Sequence, residues 1–149
     1  MSYTIIIPAR MHSTRLPKKM LRPIDGEPLI YWSWRAAQKS AADQIIIATD
    51  HEEIYQTMKA FGAKVVMTSS SHETGTDRLS EVVTTLNIDN DEIILNWQGD
   101  EPFLPAALAD NVAERLQESN AAMATLATPL TDWADLHNPN IVKIAMGDH

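Results

Sequence analysis

An open, mainly parallel α/β sheet with helices on both faces is what the sequence predicts, on three observations. Short β-rich runs alternate with stretches of helical periodicity along most of the chain. The first run, Thr4–Pro8, is continuously apolar after its threonine and closes on a proline, as in a central strand buried on both faces. Loops dense in hydroxyl, glycine and charged residues, at 8–26, 68–76 and 97–105, each follow an inferred strand. An open α/β sheet binds ligands in the crevice beyond the carboxyl ends of its strands. The three loops therefore meet at one site if strands one, three and four lie near each other. The pattern is Rossmann-like.

After the first strand, Pro28–Lys39 predicts a helix whose apolar surface is Leu29, Ile30, Trp32, Trp34, Ala36 and Ala37. Gln44–Ala48 is a second strand running into Thr49-Asp50-His51. Asp50 is a suitable N-cap for a helix over Glu52–Phe61, which Gly62 stops. Lys64–Met67 is a third strand and Thr76–Leu86 a third helix, with Thr76 as its N-cap. Glu92–Asn96 is a fourth strand, and Ala106–Glu118 a fourth helix. Ala122–Ala127 and Ile141–Ala145 read as later strands. A sheet of this kind rarely ends on a strand without a covering helix, and only Met146–His149 follow. The chain is therefore expected to be a fragment of a single α/β domain.

Composition narrows the function. The chain has 149 residues, 44% hydrophobic and 21% charged, which is ordinary globular usage and enough for one real core. No apolar run approaches the roughly 20 residues of a membrane helix, and Pro8-Ala9-Arg10 breaks the N-terminal apolar run at once, unlike a signal peptide. The absence of cysteine excludes disulfides and thiolate chemistry and fits a cytoplasmic protein. A net charge of −8 argues against nucleic acid as a partner. Yet Arg10, Arg15, Lys18, Lys19, Arg22 and Arg35, half of the 12 basic residues, fall within the first 35 positions. Cations concentrated in one early loop of an acidic chain point to an anion.

Three constellations carry chemistry. Residues 8–19, PARMHSTRLPKK, run from a strand into a loop with small hydroxylated residues and four cations. Such a loop offers backbone N–H groups, bidentate arginine and point-charge lysine to phosphate oxygens. It is neither a Walker loop nor a dinucleotide glycine fingerprint, and an ordinary basic surface loop fits it equally well. Residues 96–102, NWQGDEP, place Asp100 after a glycine at a strand's end, where it suits a divalent cation; a turn aspartate is the alternative. In residues 69–78, SSSHETGTDR, Arg78 stands in a helix's first turn against the helix dipole, which suggests a ligand contact. The alternative is a surface arginine paired with Asp77 or Glu81. His12, His51, His72 and His137 lack metal-ligand spacing, and no Ser–His–Asp arrangement is readable. The tryptophans and methionines read as packing residues.

The motifs IIIPARMHSTRLPKK, IDGEPLI, IIIATDHEEI, HETGTDRLSEVV, NWQGDEPFLP, MATLATPL and NPNIVKI, taken in order over the whole chain, resemble those of the 3-deoxy-manno-octulosonate (Kdo) cytidylyltransferases. Acylneuraminate cytidylyltransferases share the first loop and resemble the later motifs less. The resemblance implies a sheet of the nucleotide-diphospho-sugar transferase type. It implies the reaction of CTP with Kdo to give CMP-Kdo and pyrophosphate, with magnesium, in the cytoplasm, for lipopolysaccharide synthesis, by a full-length homodimer. Carried over by position, Arg10 and Lys19 would bind the triphosphate, with the backbone at Ala9 and Ser13 shaping the pocket. Thr74, Gly75, Thr76 and Arg78 would lie against the cytidine, Gln98 would reach nucleotide or sugar, and Asp100 would be a magnesium ligand.

Two departures stand out. The family usually has glycine before the lysine and proline after it, where this chain has Lys18 and Met20. Family members also continue through segments that supply a second magnesium carboxylate, most sugar contacts and the dimer interface. Residues 1–149 are accordingly expected to be the nucleotide-binding part of a truncated domain. A different sugar acid as substrate, or CTP binding without turnover, are the alternatives.

Overall fold

The computed structural model describes residues 2–11 and 16–145. In chain order it contains β1 (Tyr3–Ala9), a 3-10 turn (Lys19–Leu21), the hairpin β2 (Pro23–Ile24) and β3 (Glu27–Pro28), and α1 (Leu29–Ala37). Then come β4 (Gln44–Thr49), α2 (Glu52–Ala60), β5 (Lys64–Met67), α3 (Gly75–Thr85), β6 (Ile93–Asn96), α4 (Ala106–Gln117) and the single-turn α5 (Trp133–His137). The four longer strands form a parallel sheet in the order β5-β4-β1-β6.

The alternation of side chains along β1 explains why every one of its positions is buried. Tyr3, Ile5, Ile7 and Ala9 face one layer with Ile47, where Ile30 and Trp34 of α1, Ile54 and Met58 of α2, and Ala109 and Ala113 of α4 close over them. Ile6 faces the other, with Ile46 and Ala48 of β4 and Leu79 and Val82 of α3. Helices thus cover both faces, as the sequence predicts. The hairpin turns on Asp25 and Gly26, both at positive φ, the backbone that tight antiparallel connections favour. At the amino-terminal end of the sheet Tyr3 donates its hydroxyl to Asp110 Oδ1 at 2.5 Å, and that oxygen also accepts from Ala41 N at 2.8 Å. Burial first, and the Asp110 hydrogen bond second, push the Tyr3 phenol up to about 12.

Four expectations are corrected. Asp50 does not cap α2: His51 does, its Nδ1 accepting from Glu53 N at 3.2 Å, because the Asp50 carboxylate is engaged by Arg78. Thr76 does not cap α3: Thr74 does, in a reciprocal capping box with Asp77, and the helix starts at Gly75. Ala122–Ala127 and Ile141–Ala145 form no strand, because neither is hydrogen-bonded into a ladder with a neighbour. Beyond β6 the sheet has an open edge instead. There a groove of about 1020 Å³ runs between α3 and α4, lined by Leu79, Val83, Ile94, Leu108, Val112 and Met123 among others.

Candidate functional site

Pro8, at the carboxyl end of β1, is where the three loops meet. A Cβ built on Gly75 would lie 3.7 Å from the Pro8 ring, so the first residue of α3 rests on it. A Cβ on Gly99 would stand 2.9 Å from Pro8 O, 3.1 Å from Ile30 Cδ1 and 3.2 Å from Met20 Sδ. Glycine is required there by the protein's own backbone, not only by a ligand's approach. β5 is not adjacent to β1, because β4 lies between them. The third loop nevertheless reaches the site, since α3 crosses the face of the sheet and sets its first turn against Pro8.

The loop after β6 is fastened from below. Trp97 is fully buried, donating its backbone N–H to Ile6 O at 3.1 Å and its indole N–H to Glu101 O at 3.3 Å. Ser33 of α1 donates to Gly99 O at 2.7 Å. Held at these points, the loop leaves Gln98 and Asp100 at the surface, with Gln98 Nε2 on Asn96 Oδ1 at 3.2 Å. Asp100 Oδ2 forms an ion pair with Lys19 Nζ, each side chain 35% exposed.

The two lysines diverge. Lys18 has φ 53° in the left-handed region and sends its Nζ to Glu53 Oε2 of α2 at 2.8 Å, while Lys19 opens the 3-10 turn and faces Asp100. The departure from the family's glycine thus falls on a position whose backbone glycine would adopt without strain. Ala9 is buried in β1 and Arg10 is half-buried just beyond it; Ser13 lies outside the described residues.

Arg78 is neither a surface arginine nor a partner of Asp77 or Glu81 by direct contact. It is fully buried. Its Cβ tilts toward the helix N-terminus, as all helical side chains do, and this carries the guanidinium under the strand ends. There one terminal nitrogen donates to Asp50 Oδ2 at 2.7 Å and the other to Thr68 Oγ1, while Nε finds no acceptor among the described residues. Asp77, in the exposed first turn, has its carboxyl held below the usual range, chiefly by hydrogen bonds from Thr74, with a smaller pull from Arg10. Behind them His72 bonds Glu81, which also accepts from Ser69 N at 2.9 Å; these two contacts lower the Glu81 carboxyl. Asp50, Thr68, Ser33 and the His72–Glu81 pair were not legible as site residues. Asp50 had a signal, since an aspartate directly after a strand lies at the ligand end of the sheet.

Asp100 has the donor chemistry for a hard divalent ion, since its carboxylate is partly exposed and such an ion needs only one or two carboxylates when phosphate and water supply the rest. Among the described residues no three acidic or histidine side chains gather into a cage for a metal.

A parallel sheet whose strand-end loops carry Arg10, Lys19 and Asp100 has the form of an open α/β protein with a ligand crevice at its carboxyl edge. The chain belongs to the cytidylyltransferase family, whose profile matches residues 4–149. It is 52% identical over 143 residues to the 3-deoxy-manno-octulosonate cytidylyltransferase 1 of Actinobacillus pleuropneumoniae, covering 96% of this chain and 57% of that protein. It is 49% identical to the 3-deoxy-manno-octulosonate cytidylyltransferase of Haemophilus ducreyi, with 99% and 58% covered. Among solved structures it resembles CMP:2-keto-3-deoxy-manno-octonic acid synthetase complexed with CTP, at 36% identity and a TM-score of 0.73, over 80% of this chain and 48% of that one. The chain thus spans less than three fifths of the length of these relatives. No helix among the described residues is long and apolar enough to cross a membrane.

Proposed function

We propose that this chain carries the nucleotide-gripping part of a Kdo cytidylyltransferase, which joins Kdo to the CMP portion of CTP and releases pyrophosphate for lipopolysaccharide synthesis. The observation that carries the reading is the Lys19–Asp100 pair, which joins the loop after β1 to the loop after β6. A cation for phosphate and a carboxylate for a metal stand side by side, in a chain 36% identical to a synthetase solved with CTP. Arg10 and Lys19 neutralise the triphosphate, and the backbone at Ala9 and Ser13 shapes its cradle. Thr74, Gly75 and Thr76, with Arg78 beneath them, face the cytidine, and Gln98 reaches toward nucleotide or sugar. Asp100 would hold Mg²⁺, which when bound supplies charge stabilisation on the phosphoryl oxygens. The protein's own part is position and field: it aligns the α-phosphate for attack by the sugar's anomeric hydroxyl and steadies the departing pyrophosphate. The full-length form acts as a cytoplasmic homodimer.

Calorimetric titration of CTP into the chain with and without Mg²⁺ tests this. Saturable binding that tightens with Mg²⁺ is expected, and no binding sinks the reading. Asp100→Asn should move the Mg²⁺ titration to higher concentration; an unchanged curve removes Asp100 from the metal. A second reading, CTP binding without turnover, is favoured by the chain's covering only 57% of the length of the Actinobacillus pleuropneumoniae relative. Pyrophosphate release from CTP and Kdo by the 149-residue chain would overturn it.

A further inference from the structure

A buried ion pair lies behind the cation-bearing loops and has no part in the phosphate or metal roles above. Arg78 belongs to the first turn of α3, yet both of its terminal nitrogens are committed to residues just past two other elements. Asp50 directly follows β4 and Thr68 directly follows β5, itself tied back by Thr68 N to Thr49 O at 2.8 Å. A guanidinium so placed opposes the helix dipole and has left water entirely. The ends of β4 and β5 and the first turn of α3 are thereby joined through a single side chain. The segment that gains a fixed position is Thr74-Gly75-Thr76, whose glycine rests on Pro8.

We infer that Asp50 is a positioning residue for the nucleotide site, acting through Arg78 to lock the first turn of α3 against the carboxyl end of β1. The inference rests on the nucleotide reading given above. Asp50 touches no ligand in this arrangement. It supplies the counter-charge that holds the guanidinium, and the guanidinium holds the turn. Because Nε has no acceptor among the described residues, the clamp depends on its two outer nitrogens. Weakening either contact should loosen the wall that faces the nucleotide while leaving the cations of the opposite wall in place.

The test compares CTP affinity, with Mg²⁺ present, by calorimetry at a temperature where circular dichroism shows each variant folded. Asp50→Asn keeps the shape of the side chain and removes its charge, and Thr68→Val removes the second acceptor. Tyr3→Phe removes a buried polar contact at the opposite end of the same sheet and serves as the control for stability alone. Asp50→Asn should weaken CTP binding about tenfold, the scale of a lost preorganising contact. Thr68→Val should weaken it less, Asp50→Glu should restore part of the loss, and Tyr3→Phe should leave it unchanged. Binding by Asp50→Asn and Thr68→Val equal to the parent's overturns the inference. If Asp50→Asn does not fold, Thr68→Val decides by the same criterion. A parent chain that binds no CTP overturns the nucleotide reading, and the inference with it. A parent that binds, with variants that bind as well, overturns the inference alone.

Discussion

Lys18 holds a backbone that a side chain resists. Its φ of 53° puts Cβ against the following carbonyl, which costs roughly 1–2 kcal/mol outside glycine. The ion pair with Glu53 returns little, since both side chains are about half exposed or more and such pairs contribute about 0–1 kcal/mol. Lys18→Gly removes the strain and adds roughly 0.5–1 kcal/mol of unfolded-chain entropy. Its urea midpoint should equal or slightly exceed the parent's, and a fall of more than about 1 kcal/mol would show that Lys18 contributes more than its backbone costs. Tyr3 behaves differently. Its folded pKa is raised to about 12, so the native state favours the protonated phenol, and that contribution is complete below pH 10. It is lost as pH rises from 10 toward 12. Tyr3→Phe should flatten this alkaline limb in denaturation measured across pH. At neutral pH it should lower stability by about 1.5–3 kcal/mol, the range for a hydrogen bond to a charged group.

At the scale of elements, α3 is the piece on which the site depends. Its start is fixed by the Thr74–Asp77 capping box, and Arg78 ties its first turn to Asp50. Thr74→Ala should cost about 1 kcal/mol in thermal or chemical melts, a loss confined to the cap. Removing one partner of the buried Asp50–Arg78 pair should cost about 3–5 kcal/mol, because an uncompensated charge would remain. The strands themselves were legible. Thr4–Pro8 was read one residue short at each end of Tyr3–Ala9, since a run buried on both faces is continuous in sequence, and Lys64–Met67 coincides with the edge strand β5. The caps were not, because capping is a competition for side chains. Asp50 is the better capping residue by type, but a guanidinium 28 positions away takes its carboxylate and leaves the cap to His51. Nothing local announces such a partner. The same holds for Arg78, where polarity suggested the surface and the direction of the Cβ bond put it inside.

The whole molecule divides into a packed sheet with its four long helices and an exposed remainder. No residue from 117 to 145 is buried, and the side chains of Met123, Trp133 and Val142 are more than four fifths exposed. Limited proteolysis should therefore cut first within 119–145 and leave a protected core ending near α4, as gel and mass analysis would show; first cuts within β1, β4 or α1 would contradict the packing described. The apolar runs at 122–127 and 141–145 suggested strands by composition, but composition supplies only one side of a ladder. The meeting of three loops was legible from the chemistry at three strand ends. Its geometry was not, because it depends on α3 carrying the third loop past β4, which no local pattern encodes.

Trp97 gives the site an optical consequence. Its side chain is fully buried three positions before Asp100, and its indole N–H donates to Glu101 O of the same loop. Trp133, by contrast, is 82% exposed. The four tryptophans differ in surroundings: Trp34 and Trp97 are buried and Trp133 is exposed, so their emission falls at different wavelengths. In a Trp34→Phe background the blue component belongs to Trp97 in the Asp100 loop, and the red one to the exposed remainder. Movement of the Asp100 loop would thus be visible as a change in the blue component alone, without any label attached to the protein.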